Sequence, residues 1–158
     1  VVTFQVIEHI QNDEQFVKEI YRVLKPGGKL ILTTPNLLMS LSRNPWHTRE
    51  YTPHSMRDIL EISFSDIEMN GVFGNEKIME YYNANKKSVQ RIRKWDIFNL
   101  EKNMPRRLLQ VPYDILNRFN RHKLQDKNES LVNDVKYTDY SISEMTDQCL
   151  DYFCIATK

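Results

Sequence analysis

Apolar and polar positions change period along this chain, and each change marks an element. Val1, Val2 and Phe4 form a short β-branched and aromatic run that reads as a strand. Asn12, with Gln15 three residues on, makes a capping-box pattern, and Phe16, Val17, Ile20, Val23 and Leu24 follow at helical spacing. Pro26, Gly27 and Gly28 stop that helix, because proline disfavours the helical state in the residue before it and glycine accepts a left-handed exit. Residues 29–34 are then an apolar, β-branched run ending at Pro35 and Asn36, which predicts a strand buried on both faces. Strand, helix and strand at this crossover length fit a right-handed βαβ unit with parallel strands.

Residues 53–62 predict a second helix, with Met56, Ile59 and Leu60 on one face, Thr52 as N-cap and Pro53 at the first position. A third strand is expected over 64–72. Residues 75–131 lack glycine and place Leu108, Leu109, Ile115, Leu116 and Phe119 at helical spacings, so they read as an inserted helical lobe. Pro105 and Pro112 are expected to cut it into shorter helices, since proline inside a helix removes a donor and clashes with the preceding turn. Asp151–Thr157 reads as a terminal strand. The expectation is an α/β protein with a sheet of about four strands and a helical insertion before the last. Its parts are a core over 1–74, a helical insertion or lid over 75–148, and a strand returning to the core over 149–158.

The run Phe4, Gln5, Val6, Ile7, Glu8, His9 and Ile10, the helix ending at Leu24, Lys25, Pro26, Gly27 and Gly28, and the strand from Lys29 to Asn36 closely resemble one family. They are similar to the C-terminal half of class I S-adenosylmethionine (SAM)-dependent methyltransferase domains, and most to the branch catalogued as type-11 or type-23. The resemblance covers about the first 75 residues and the last strand. It implies a partial Rossmann-like sheet, SAM as cofactor, and contacts from Phe4, Gln5 and Val6 to the methionine end of SAM. Glu8 and His9 begin a Glu-His motif that orders the strand end in most relatives. For His9 a hydrogen-bonded hinge role stands beside a catalytic one. The family's glycine-rich loop and its acidic ribose-binding residue have no counterpart here. The resemblance places both N-terminal to Val1, so the chain is expected to be a truncated piece that binds SAM weakly and is inactive alone.

Apart from the resemblance, ligands of open parallel sheets bind beyond the carboxyl ends of the strands, which puts Phe4, Gln5, Val6, Pro35 and Asn36 at one crevice. The loop over 44–53 is dense in polar chemistry. His47 could take a proton from a hydroxyl near neutral pH, Arg49 could fork onto a carboxylate or phosphate, and Trp46 or Tyr51 could stack on an acceptor. His47 is therefore the candidate catalytic residue, and Asn36, Trp46, Arg49 and Tyr51 are the candidate acceptor contacts. The competing reading is structural, with Arg49 and Glu50 pinning the loop and capping the next helix. No group of carboxylates or histidines shows metal-ligand spacing, so no metal is expected.

Composition narrows the function classes. With 22 Lys+Arg against 21 Asp+Glu in 158 residues, the net charge of +1 gives no global signal for nucleic acid or anionic membrane. No apolar run approaches the roughly 20 residues that span a bilayer, and a cytoplasmic protein is expected. Cys149 and Cys154 read as buried structural thiols. Local charge is a different matter. Lys86, Lys87, Arg91, Arg93 and Lys94 precede Trp95 and Phe98, and Arg106, Arg107, Arg118, Arg121 and Lys123 follow. They form either a basic surface for a phosphorylated, lipid-linked or nucleic-acid acceptor or a solvated helical face, with the latter favoured. The expected activity is methyl transfer to a small-molecule, sugar or lipid-type acceptor. The alternative is a noncatalytic interaction domain that dimerises through an exposed sheet edge.

Overall fold

The computed structural model describes residues 1–94, 103–127 and 134–158. In chain order the elements are β1 (Val2–Phe4), α1 (Asp13–Val23), β2 (Lys29–Pro35), α2 (Pro53–Glu61), β3 (Asp66–Gly74), α3 (Glu76–Arg93), α4 (Arg106–Lys127), β4 (Tyr140–Glu144) and β5 (Asp151–Thr157). Short 3-10 turns cover Ile7–His9, Leu37–Met39 and Tyr137–Asp139. The five strands make one mixed sheet in the order β1-β2-β5-β3-β4. β1 and β2 are parallel, with Val2 opposite Ile31 and Phe4 opposite Thr33, as the βαβ reading requires. β5 inserts antiparallel between β2 and β3, pairing Lys29 with Thr157 on one side and Asp66 with Thr157 on the other.

Two compact units divide the chain. The first comprises Val1–Ser40, His47–Phe73 and Ile142–Lys158, and the second comprises Leu41–Trp46 and Gly74–Ser141. The first unit holds the main core: Ile7, Val17, Ile20, Leu24, Leu30, Leu32, Tyr51, Met56, Ile59, Leu60, Phe64, Cys149, Tyr152, Cys154 and Ala156. The helical periodicity explains which α1 and α2 residues enter it, and each fully buried aliphatic side chain contributes about 1.5–3 kcal/mol. Asn12 caps α1 by accepting from the Gln15 amide at 3.1 Å, while the Gln15 side chain turns to Glu19 instead of closing the box. Thr52 caps α2, and Gly27 exits α1 with φ at 74°.

The structure corrects several details. β2 buries Leu30, Leu32 and Thr34 fully but leaves Ile31 and Thr33 half-covered, so one face is core and the other is only partly shielded. β3 begins two residues later than expected and contains Gly71, where a Cβ would lie 2.5 Å from the Cβ of Cys149. Pro112 sits inside α4 without ending it. Its position is exposed, so the carbonyl that loses a helical partner can turn to water. A fifth strand, β4, was not expected; its alternation of Tyr140 and Ile142 with serines is only two periods long, and all five of its residues are exposed. Both cysteines are buried, and desolvation pushes the Cys154 thiol up to about 12. Trp95 and Phe98, and the side chains of Arg121 and Lys123, lie outside the described residues. Among the described residues no helix is long and apolar enough to cross a membrane.

Candidate functional site

The carboxyl ends of β1 and β2 lie at the same edge of the sheet, β1 ending opposite Thr33 and β2 running two residues further to Pro35. Gln5 directly follows β1, and its amide donates to the Thr33 carbonyl at 2.9 Å, so the chain leaves β1 alongside the last residues of β2. At that point Gln5 adopts φ of 54°, a left-handed conformation that costs a non-glycine residue roughly 1–2 kcal/mol. Its amide side chain lies 3.3 Å from the Asp151 carboxylate at the start of β5. Burial raises the Asp151 pKa above its ordinary value; the Gln5 hydrogen bond opposes this and the nearby Glu8 charge adds to it. Phe4 and Val6 flank Gln5 and are 54% and 37% exposed, so both can reach a ligand.

On the β2 side, Asn36 is buried and fully engaged. Its Nδ2 donates to the Cys149 carbonyl at 2.8 Å and the Asp147 carbonyl at 3.1 Å, and its Oδ1 accepts from the Leu38 amide at 3.0 Å. The Tyr152 hydroxyl also donates to that oxygen. A parallel bridge joins Asn36 to Tyr51, which brings the polar loop to the strand end. Asn36 thus welds β2, the loop and the approach to β5 together.

The loop is fixed to the chain after β1 by its own backbone. The amides of Thr48 and Arg49 both donate to the Glu8 carbonyl, at 2.6 and 3.2 Å, and the Thr48 hydroxyl donates to the His9 carbonyl at 3.1 Å. Asp13, buried at the first turn of α1, gathers the side chains: Arg49 Nη1 donates to Oδ2 at 2.6 Å and the Tyr51 hydroxyl to the same oxygen at 2.8 Å. Tyr51 is buried, and desolvation with the Asp13 bond drives its hydroxyl far above the ordinary range. Arg49 and Tyr51 therefore pin the loop, as the structural reading of this segment anticipated for Arg49. The partner of both is Asp13.

Glu50 serves His47 instead. His47 Nδ1 and Glu50 Oε1 are 2.6 Å apart, and Ser40 Oγ donates to the other carboxylate oxygen. Burial pushes the Glu50 carboxyl up, but the His47 and Ser40 hydrogen bonds outweigh it and leave the group below its ordinary value. A carboxylate on Nδ1 selects the tautomer protonated there and makes Nε2 the basic nitrogen. His47 also meets His9 edge to face, with ring centroids 4.9 Å apart. Beside them Glu8 is buried, and its Oε2 accepts from Thr34 Oγ1 at 2.9 Å. Glu8, His9 and His47 each offer one ligand atom within 4.8 Å of the others. Sequence spacing concealed this cluster, because 38 positions separate His9 from His47. Trp46 belongs to the second unit, where its indole Nε1 donates to Asp114 Oδ1 at 3.0 Å.

A mixed sheet that holds a parallel β1–β2 pair joined through α1 defines an α/β fold. Residues 1–32 match the methyltransferase domain family model, so the resemblance read from the opening strand, helix and Pro-Gly-Gly turn is borne out. The chain is 42% identical over 86 residues to a probable S-adenosylmethionine-dependent methyltransferase of Mycolicibacterium smegmatis, an alignment covering 51% of this chain and 34% of that protein. A probable S-adenosylmethionine-dependent methyltransferase of Mycobacterium tuberculosis is 38% identical over 86 residues, 51% of this chain and 31% of that protein. The chain thus spans about a third of the length of these curated relatives. Among solved structures, phosphoethanolamine N-methyltransferase 2 of Haemonchus contortus in complex with S-adenosyl-L-methionine overlaps with a TM-score of 0.46 at 22% identity, covering 100% of this chain and 32% of that one.

Proposed function

We propose that this chain works in a SAM-dependent methyltransferase, with a small-molecule, sugar or lipid-type acceptor. The observation that carries the reading is the shared exit of β1 and β2 beside a clamped polar loop, in a segment homologous to such enzymes. Bound SAM would supply an activated methyl group on its sulfonium. Phe4, Gln5 and Val6 are the residues offered to its methionine end, and the exposure of Phe4 and Val6 supports that role. His47 is the group offered to the acceptor. With Glu50 on Nδ1, its Nε2 takes the proton that an attacking hydroxyl or amine gives up. Asn36, Arg49 and Tyr51 act as positioning residues that hold His47 and the strand ends in register. Trp46 is offered as a further acceptor contact.

Methyl transfer by the encoded full-length protein tests this reading. S-adenosylhomocysteine should accumulate from SAM only when a pool of small metabolites, sugars or lipids is added. His47→Gln should lower kcat by roughly 100-fold or more while leaving SAM affinity in place. No acceptor-dependent turnover with any pool would refute the assignment. A second reading has its own observation: β1 is an edge strand with Val2 and Phe4 more than half exposed, which favours pairing with a further strand or a second copy. Light scattering that reports a monomer at all concentrations would remove it.

A further inference from the structure

We propose that Glu8, His9 and His47 form a binding site for a divalent transition-metal ion, with zinc the ion best matched to the donors. Two imidazoles and one carboxylate are an established donor set for zinc, leaving a fourth position for water or a ligand. Glu8 Oε1 and His9 Nε2 are 3.8 Å apart, and one ligand atom from each of the three residues lies within 4.8 Å of the others. Zinc bonds of about 2.0–2.1 Å place tetrahedral donors about 3.4 Å apart, so the cluster closes on an ion by about an ångström. The His9 side chain is 45% exposed, so its ring can adjust toward an ion.

The surroundings are those of a built site. Thr34 Oγ1 holds Glu8 Oε2, which turns Oε1 toward His9. Glu50 holds Nδ1 of His47 and assigns Nε2 to the ion, and Ser40 in turn holds Glu50. Carboxylates and hydroxyls on the far side of the ligands fix tautomer and ring orientation and raise ligand basicity. The two amides donated to the Glu8 carbonyl clamp the His47 loop against the residue that supplies the carboxylate. Burying the Glu8 carboxylate also carries a desolvation cost that a cation offsets. Ion and proton compete for Nε2 of His47, so a bound ion is expected to inhibit any reaction in which His47 takes a proton.

Binding is measured on the full-length protein without methyl donor or acceptor, so its outcome is independent of the activity proposed above. Zinc is titrated in competition with a chromophoric chelator, and cobalt(II) is followed by visible absorption, for wild type, His9→Gln, His47→Gln, Glu50→Gln and His54→Gln. One zinc per chain is expected, weakened about 100-fold or more by His9→Gln and by His47→Gln and about 10- to 100-fold by Glu50→Gln. His54 is an exposed histidine on α2 paired with Asp58, and its replacement should change nothing. Cobalt should give the intense spectrum of a low-coordinate site. The exposed His9 makes His9→Gln a variant that folds, which a thermal melt confirms. Absence of saturable binding, or equal affinity in wild type, His9→Gln and His47→Gln, overturns the proposal.

Discussion

Asp13→Ala perturbs the joint between α1 and the polar loop. Asp13 is buried at the start of α1 and accepts from Arg49 and Tyr51 on one oxygen and from the Glu14 amide at 3.1 Å on the other. Removing the carboxylate strands the buried Tyr51 hydroxyl, and an unmade hydrogen bond of that kind costs about 1–3 kcal/mol. The Arg49 side chain is 53% exposed, so water replaces most of its ion pair and the loss there is under about 1 kcal/mol. Loss of negative charge from the first helical turn adds about 0.3–1 kcal/mol. Together these give about 3 kcal/mol, against a whole-domain stability of about 5–15 kcal/mol. Urea unfolding followed by far-UV circular dichroism should show the midpoint falling by about 1–2 M with an unchanged slope. Tyr51→Phe, which removes one donor and leaves no orphan on it, should cost about 1 kcal/mol. A midpoint for Asp13→Ala within about 0.2 M of wild type would refute the claim that this network fixes the loop.

Other perturbations probe the strand ends. Gly71→Ala forces a methyl group against the Cys149 Cβ and the Phe73 ring and should destabilise by about 1–3 kcal/mol in the same unfolding assay. Asp151 has a folded pKa raised by burial, so the folded state binds the extra proton and stability falls as pH rises from the ordinary carboxylate value through the raised one. Asp151→Asn should therefore be more stable than wild type at neutral pH, with the gain vanishing in acid; a pH-independent difference would contradict it. Gln5→Gly relieves the left-handed backbone and should hold or raise Tm, yet weaken SAM binding by the full-length protein if the Gln5 side chain contacts the donor. A lowered Tm would show that the Gln5–Asp151 contact outweighs the strain.

The fold was legible where local pattern and tertiary environment agree. β1, α1, β2, α2 and β5 carry apolar residues at the period of their own element, and their caps and stops are encoded within a few positions. β4 was not legible, because Tyr140 and Ile142 alternate with Ser141 and Ser143 over only two periods, too short a run to stand out at the end of a stretch read as helical. Pro112 misled for a different reason: the cost of proline in a helix falls where the carbonyl left without a donor faces water. At the site, residue types pointed to His47, Arg49 and Tyr51, but their partners were hidden. Asp13 lies 36 and 38 positions from the donors it gathers, and only the fold brings them to one oxygen. The pairing of His47 with Glu50 was within reach, since the two stand three apart in sequence. Its meeting with Glu8 and His9 depends on the clamp of the loop onto the Glu8 carbonyl, which no local pattern announces.

Photo-crosslinking of tritiated SAM to the full-length protein, followed by peptide mapping, puts the proposed donor site to the most direct trial. Label should concentrate on the peptide containing Phe4, Gln5 and Val6, and excess unlabelled SAM should abolish it. Saturable label confined to α4 or to β4, with none near the end of β1, would contradict the placement of the methyl donor at the shared exit of β1 and β2.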